Sequence, residues 1–175
     1  LLRVAYARAG HNAPTNPRQA RFIDPNPEAV LEAVSRLRAF GAQVGLAPHS
    51  VRAVPGDWLR AFAGFDGVVH GHVDEQPEEI RQCLAEYGRA PLQVFGDAGL
   101  LGPSFTAVHL THPNAEELAL LHASGAHVCA CPTTELDLGD GFFPAWKVAA
   151  PVCIGSDSQA AIDPFAELRA LEWHS

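Results

Sequence analysis

The sequence contains no methionine and almost no lysine. None of its 175 residues is Met, so we expect the chain to be an internal piece of a longer protein. Lys147 is the single lysine among 12 basic residues. The chain also has 20 acidic residues, so its net charge is −8. Because binding to nucleic-acid phosphates needs a basic face, this balance argues against a nucleic-acid partner.

Long apolar runs are also missing. No stretch reaches the roughly 20 apolar residues of a membrane helix, and no charged start leads into an apolar signal core. Four cysteines are too few for a disulfide framework in a chain of this length, so we expect reduced thiols, with Cys129 and Cys131 packed in the core. At 47% hydrophobic residues the chain has enough apolar side chains for a core. These features predict one soluble, cytoplasmic domain over residues 1–175, with no membrane partner.

Apolar runs of strand length alternate with helical patterns along the chain. Six runs are predicted as strands, at 1–7, 43–47, 67–72, 105–110, 126–131 and 152–156. Their interiors are apolar without clean polar alternation, as in parallel strands that are covered on both faces. The apolar spacing over 27–40, which ends at Phe40, predicts an amphipathic helix. Asn114 and Glu117 have the spacing of a capping box, which predicts another helix start.

Six successive strand–helix units suit either an open doubly wound sheet or part of a (β/α)8 barrel. The turn after the first run, Ala9 to Ala13, lacks the Gly-x-Gly-x-x-Gly spacing of a dinucleotide site. Polar residues at the strand ends favour the barrel, because barrel enzymes place their active sites there. A whole barrel takes roughly 250 residues, so about two units would be missing. The predicted fold class is therefore α/β, a TIM-like (β/α)8 barrel of which this chain holds about six units.

Imidazoles and carboxylates follow four of the six predicted strands. A single such residue is usually a cap or a surface group, but four strands that end this way point to a common site. The polar strand ends are His49 and Arg52 after the second strand, His70 to Gln76 at the third, His109 and His112 at the fourth, and Asp157 after the sixth.

These residue types predict a metal site. His70 and His72 lie two residues apart and so point to one face of a strand. Imidazole and carboxylate suit Zn²⁺ or a similar divalent ion, which lowers the pKa of a bound water toward about 7. Asp157 is a candidate ligand and proton acceptor, and Glu75 a candidate proton carrier to the leaving group. His109 is a candidate to polarise the attacked centre.

Four stretches together resemble the formimidoylglutamate deiminase branch of the amidohydrolase superfamily. They are His49-Ser-Val-Arg52, the run from His70 to Gln76, Thr133-Thr-Glu135 with Leu138-Gly-Asp-Gly141, and Gly155-Ser-Asp-Ser158. This resemblance implies a metal-dependent barrel, usually with zinc. It also implies hydrolysis of N-formimino-L-glutamate to N-formyl-L-glutamate and ammonia, a step of histidine degradation.

The resemblance also implies roles for individual residues. Gln76 matches the motif and would support the site residues without itself binding metal or substrate. The family's first barrel strand carries a His-x-His pair that completes the metal site. No such pair precedes His70, so we expect that strand and a small β-rich domain to lie outside this piece. The implied site residues are His72 and Asp157 as metal ligands, Glu75 as proton shuttle, His109 to position water or substrate, and His49 with Arg52 to bind the glutamate carboxylates.

Two other functions stay open at this point. A related amidohydrolase deaminase acting on a nucleobase or another aminated ring would show similar metal and shuttle residues. Arg52 disfavours it, since nucleobases have no carboxylate for a guanidinium to bind. The second open function is that of a degenerate, non-catalytic barrel that acts as a binding or dimerisation module. For partners we expect a small-molecule substrate and a second copy of the chain, as a homodimer.

Overall fold

The computed structural model describes the backbone of residues 1–174 and the side chains of residues 1–173. No helix in this described part is both long and apolar enough to cross a membrane. The strands are β1 (Leu2–Ala5), β2 (Gly45–Pro48), β3 (Val69–Val73), β4 (Phe105–His109), β5 (His127–Ala130) and β6 (Val152–Ile154). The α-helices are α1 (Pro27–Ala39), α2 (Gly56–Ala61), α3 (Pro77–Tyr87), α4 (Pro91–Asp97), α5 (Ala115–Ser124), α6 (Pro132–Leu138) and α7 (Pro164–His174).

The strands form one parallel sheet whose spatial order follows the chain order, β1-β2-β3-β4-β5-β6. A doubly wound sheet reverses its strand order at a switch point, and this sheet does not. Successive parallel strands with helices between them form the wall of a (β/α)8 barrel. The predicted fold class is confirmed, and each predicted strand overlaps an observed one.

The two faces of β3 and β4 differ in burial. Along both strands, buried residues alternate with half-buried ones. The buried face packs against helices: a Cβ on Gly71 would lie 2.7 Å from the Phe95 ring of α4, so only glycine lets that ring reach β3. Phe95 also contacts Phe105 of β4, at 5.2 Å between ring centroids. The expectation of strands covered on both faces was wrong here, because the other face lines the barrel interior.

The core lies between the sheet and the outer helices. Fully burying one large apolar side chain contributes roughly 1.5–3 kcal/mol, so this layer is the main source of stability. Its largest fully buried apolar members are Leu46, Leu59, Phe62, Leu92, Phe95, Phe105, Leu110 and Leu121.

Helix α1 begins as expected but ends one residue early. The Asn26 side chain accepts a hydrogen bond from the Ala29 backbone N–H at 2.8 Å, and Val30 and Val34 are buried. Phe40 was predicted on the apolar face, but it is 89% exposed. The chain turns at Gly41, where φ is +84°, so Phe40 leaves the helical path before it can reach the core.

Helix α5 has the predicted capping box. The Asn114 side chain accepts from the backbone N–H groups of Glu116 and Glu117, and the Glu117 carboxylate accepts from the Asn114 N–H. Glu117 also accepts from the Leu92 N–H at 3.1 Å, which ties α5 to the start of α4. The helix ends at Gly125, whose φ of +71° suits glycine.

Candidate active site at the strand ends

Three predicted site residues meet at the carboxyl ends of their strands. His72 lies on β3, His109 ends β4, and Asp157 follows β6. We call these three residues the donor group, and their ligand atoms all lie within 4.8 Å of one another. The His72 Nε2 is 3.7 Å from the Asp157 carboxylate. The fold therefore gathers two imidazoles and one carboxylate from elements that are far apart in sequence.

The hydrogen bonds of the two histidines fit a divalent ion. The Nδ1 of His72 contacts the His49 carbonyl at 2.7 Å, and the Nδ1 of His109 contacts the Glu135 carboxylate at 3.4 Å. Metal-binding histidines usually donate this second N–H to a carbonyl or carboxylate, which leaves the other nitrogen free for the ion. The buried Nε2 of His109 has no hydrogen-bond partner among the described residues. These three side chains could hold zinc, with positions left for further ligands.

The backbone is left-handed at two of the three donors. His109 has φ of +73° and Asp157 has φ of +43°. Residues other than glycine rarely adopt this region, and holding one there costs on the order of 1–3 kcal/mol. Strand alternation would place His109 on the helix side, together with Phe105 and Ala107. The left-handed backbone instead directs its imidazole toward the donor group.

The charges around the donors favour an ionised carboxylate. The contact with His72 first, and the nearby His109, lower the pKa of Asp157 against the effect of burial. Burial lowers the pKa of His109, but the nearby carboxylates of Glu135 and Glu75 outweigh burial and raise that pKa overall. Asp157 is therefore the anionic member of the group, and the carboxylates of Glu135 and Glu75 add negative charge around His109.

Glu75 links the donor group to Arg52. One Glu75 oxygen lies 3.8 Å from the His109 Nε2, and the other accepts a hydrogen bond from Arg52. Glu79, at the buried face of α3, places an oxygen 3.4 Å from the Arg52 Nε and accepts from the Glu75 backbone N–H at 2.9 Å. Burial lowers the pKa of Arg52, but Glu79 and Glu75 raise it overall, so this guanidinium remains charged.

His49 lies between the donor group and a neighbouring cavity. Its ring stacks on His72 at 4.4 Å and packs against Tyr6 at 4.7 Å. Burial, followed by the charges of His72 and Arg52, lowers the pKa of His49 to about 3. At neutral pH the His49 imidazole is uncharged and can both donate and accept a hydrogen bond.

The cavity beside His49 has a volume of about 570 Å³. It lies at the ends of β1 and β2, next to the donor group, and it combines apolar walls with polar side chains, as small-molecule sites do. Its polar lining residues are Tyr6, Arg8, Gln19, His49, Ser50 and Arg52.

Sequence reasoning missed Arg8 and its partners. Arg8 forms two hydrogen bonds with the Glu86 carboxylate, at 2.8 and 3.0 Å, and donates to the Tyr87 hydroxyl. It also donates to the backbone carbonyls of Val51 and Arg52, at 2.9 Å each. Arg8 therefore fixes the turn that carries Arg52. Tyr6 was missed too, although it follows β1 just as the predicted residues follow their strands.

Two further predicted residues lie near the site with different roles. His70 shares the interior face of β3 with His72, but it is not part of the donor group among the described residues. Gln76 donates to the Asp140 carboxylate at 2.7 Å. This bond joins the loop after β3 to the loop after α6, and the supporting role of Gln76 stays a prediction.

The comparison with protein families defines the class of this chain. The model of the amidohydrolase family matches residues 10–173. The chain belongs to the amidohydrolase family.

Individual relatives include deaminases with different substrates. A formimidoylglutamate deiminase from Pseudomonas aeruginosa is 40% identical over 184 residues, which cover 99% of this chain and 40% of that protein. A 5-methylthioadenosine/S-adenosylhomocysteine deaminase from Teredinibacter turnerae is 40% identical over 131 residues, covering 71% of this chain and 30% of that protein. The chain therefore spans well under half of either relative.

Solved structures share the fold. An amidohydrolase from Brucella melitensis superposes with a TM-score of 0.89 at 38% identity, over 99% of this chain and 41% of that one. An adenosine deaminase from Xanthomonas campestris, solved with bound zinc, gives a TM-score of 0.76 at 23% identity, over 97% of this chain and 39% of that one. At that lower identity the second structure supports the fold alone.

Proposed function

We propose that the protein containing this chain is a metal-dependent deaminase whose substrate is N-formimino-L-glutamate, cleaved to N-formyl-L-glutamate and ammonia. One observation carries the proposal: the charged Arg52 lies between the donor group and a cavity of about 570 Å³. The similarity to a Pseudomonas aeruginosa formimidoylglutamate deiminase over 99% of the chain supports it.

The donor group supplies the reaction centre of this proposal. A zinc or similar ion, held by His72 and Asp157 with His109 beside them, would activate water for attack on the formimino carbon. Asp157, ionised by its contact with His72, accepts the proton of that water. Glu75 passes a proton to the leaving nitrogen, and its oxygen lies 3.8 Å from the His109 Nε2. His109 would be a third ligand or would position the attacked group.

Arg52 suits an anionic substrate. Glu75 and Glu79 contact its Nη2 and Nε, while its Nη1 makes no hydrogen bond within the described residues. The Nη1 hydrogens are therefore available to a substrate carboxylate, and the neutral His49 imidazole adds another donor beside them. Because Arg8 fixes the Val51 and Arg52 carbonyls, the guanidinium is oriented before substrate binds.

A nucleoside deaminase is the second candidate function. The 40% identity to a 5-methylthioadenosine/S-adenosylhomocysteine deaminase over 71% of this chain favours it. A degenerate barrel fits less well, because the strained backbone at His109 and Asp157 is retained together with Glu75. The cytoplasmic location and the homodimer stay predictions.

The test is ammonia release by the full-length, zinc-loaded protein. N-formimino-L-glutamate should react fastest, ahead of S-adenosylhomocysteine and guanine. Formimino-glycine, which lacks the side-chain carboxylate, should be a poor substrate. Faster release from either purine compound than from the diacid would contradict the proposal and favour the second candidate.

A further inference from the structure

Three of the four cysteines lie together below the donor group: Cys129 on β5, Cys131 directly after β5, and Cys153 on β6. Cys129 and Cys131 line an interior cavity of about 220 Å³, which Gly155 and Asp157 also line. Cys129 is paired in register with Cys153 on β6, so their side chains share one face of the sheet. The proposed reaction uses none of these thiols. The expectation that Cys129 is a core residue was wrong, since it is only half-buried on this interior face.

Gly155 leaves the space that two of these thiols fill. A Cβ at this position would lie 3.0 Å from the Cys129 Sγ and 3.5 Å from the Cys131 Sγ. Cys131 donates through its thiol to the Cys129 carbonyl at 3.8 Å. The Cys129 sulfur thus lies between the thiol of Cys131, just after its own strand, and the thiol of Cys153 on the next strand.

Strand geometry selects the partner of Cys129. Paired residues on neighbouring strands lie roughly 4.8 Å apart, which is within the Cα separation of about 4.4–6.8 Å that a disulfide needs. Residues two apart along an extended chain, such as Cys129 and Cys131, are separated by roughly 6.6 Å, near the upper limit. Cys153 is therefore better placed than Cys131 to bond to Cys129.

We propose that Cys129 is a modification site for hydrogen peroxide and that Cys153 resolves it to a disulfide. The Cys129 sulfur attacks one peroxide oxygen, the O–O bond breaks, and a sulfenic acid and one water form. The Cys153 sulfur then attacks the sulfenic sulfur, and the S–O bond breaks to release a second water. In total, two thiols lose two electrons and two protons, and the peroxide is reduced to two waters.

The environment of Cys129 supports the order of these steps. The neighbouring thiol of Cys131 first, and that of Cys153, lower the pKa of Cys129 to about 7 against the effect of burial. Thiolates, not thiols, react with peroxide. Burial instead raises the pKa of the remote Cys83, which is fully buried on α3. Cys83 is therefore an internal reference for an inert thiol.

The experiment treats the full-length, zinc-loaded protein with hydrogen peroxide at neutral pH, blocks free thiols and maps peptides by mass spectrometry. We expect a peptide with Cys129 bonded to Cys153, which dithiothreitol separates. Cys129 should be lost at least about tenfold faster than Cys83. Equal rates for the two thiols would overturn the proposal.

Two variants test the resolving step. In Cys153→Ser the disulfide cannot form, so Cys129 should accumulate as a sulfenic acid that dimedone traps. The matched Cys83→Ser variant should form the Cys129–Cys153 disulfide at the wild-type rate. A dominant Cys129–Cys131 bond in the wild type, or no dimedone adduct in Cys153→Ser, would remove Cys153 from the reaction.

Discussion

The side chains at the ends of β3, β4 and β6 form a different arrangement from those at the ends of β1 and β2. On the first side, the donor atoms of His72, His109 and Asp157 lie within 4.8 Å of one another. On the second side, Tyr6, Arg8, His49 and Arg52 surround a cavity. The first side has the composition of a reaction centre, and the second has that of a recognition surface.

Two arginines at the recognition side show how one residue type serves two purposes. Arg8 donates to two carbonyls, a carboxylate and a hydroxyl, all of them within the chain. Arg52 contacts two carboxylates through Nε and Nη2 only. A guanidinium whose donors are all satisfied holds the fold, whereas one with donors left over can bind a ligand.

The largest effect is expected from Asp157→Asn in the full-length protein. The change removes a candidate ligand and the proton acceptor together, so turnover should fall by about 10³–10⁴-fold with the fold intact. Turnover, zinc content and circular dichroism measure this. Asp66→Asn, at an exposed position away from the site, is the matched control. Retention of half the wild-type rate would remove Asp157 from the mechanism.

Glu75→Gln separates proton transfer from metal binding on the same side. The variant should retain zinc and bind substrate, but lose about 10²–10³-fold in kcat, because an amide cannot carry the proton. Steady-state kinetics and metal analysis provide the readouts. Glu78→Gln changes an exposed carboxylate three residues away and should leave the rate unchanged. Unchanged turnover in Glu75→Gln would make Glu75 an ordinary loop carboxylate.

The fold could be predicted because its signals are local. Apolar runs and helical spacing lie within a few residues of each other, and the capping box at Asn114 depends on only four positions. The end of α1 was misplaced at Phe40 because the apolar spacing continues past the point where the backbone turns. Barrel topology followed from the polar strand ends, which an open sheet does not require.

The site could be predicted only where its residues lie at the end of a strand or just after it. His72, Glu75 and Asp157 do so, and the structure brings them close together. His109 was predicted as a site residue from its place at a strand end, but the direction of its side chain could not be derived. Strand alternation gives the opposite face, and its left-handed φ has no signature in the sequence. Arg8 and Glu86 are 78 residues apart, and no local pattern indicates a pair that forms only in the folded barrel.

Arg52→Lys tests the recognition side directly. Lysine keeps the charge but cannot donate two parallel hydrogen bonds to a carboxylate as a guanidinium does. The kcat/KM for N-formimino-L-glutamate should therefore fall roughly 10–150-fold, which corresponds to about 1.5–3 kcal/mol. Formimino-glycine should be a poor substrate for the wild type and the variant alike. Arg60→Lys, on the exposed face of α2, is the control. An unchanged kcat/KM for the diacid would show that Arg52 does not bind it.

The smallest effect is expected from Glu86→Gln, which weakens the hydrogen bonds that the Glu86 carboxylate accepts from Arg8. Since Arg8 fixes the turn that carries Arg52, KM for the diacid should rise by about three- to tenfold, with kcat and zinc content unchanged. Glu86→Asp keeps the charge and should recover part of the loss. A fall in kcat and KM together, or loss of zinc, would instead indicate a general disturbance of the barrel.

The same variant has a distinct pH dependence of stability. Burial raises the pKa of Glu86, but hydrogen bonds from Arg8 and His11 outweigh burial and lower that pKa overall. A carboxyl group whose pKa is lower in the folded state stabilises the protein above its unfolded pKa of about 4.3, and this stabilisation is lost as pH falls. The wild type should therefore melt about 1–3 °C above Glu86→Gln at pH 7, because a partly exposed pair contributes little. The difference in Tm should begin to shrink near pH 4.3 and should disappear only as the pH falls through the lower folded-state pKa of Glu86. A difference that stays constant from pH 7 down to about pH 2 would show that the Glu86 charge does not hold Arg8.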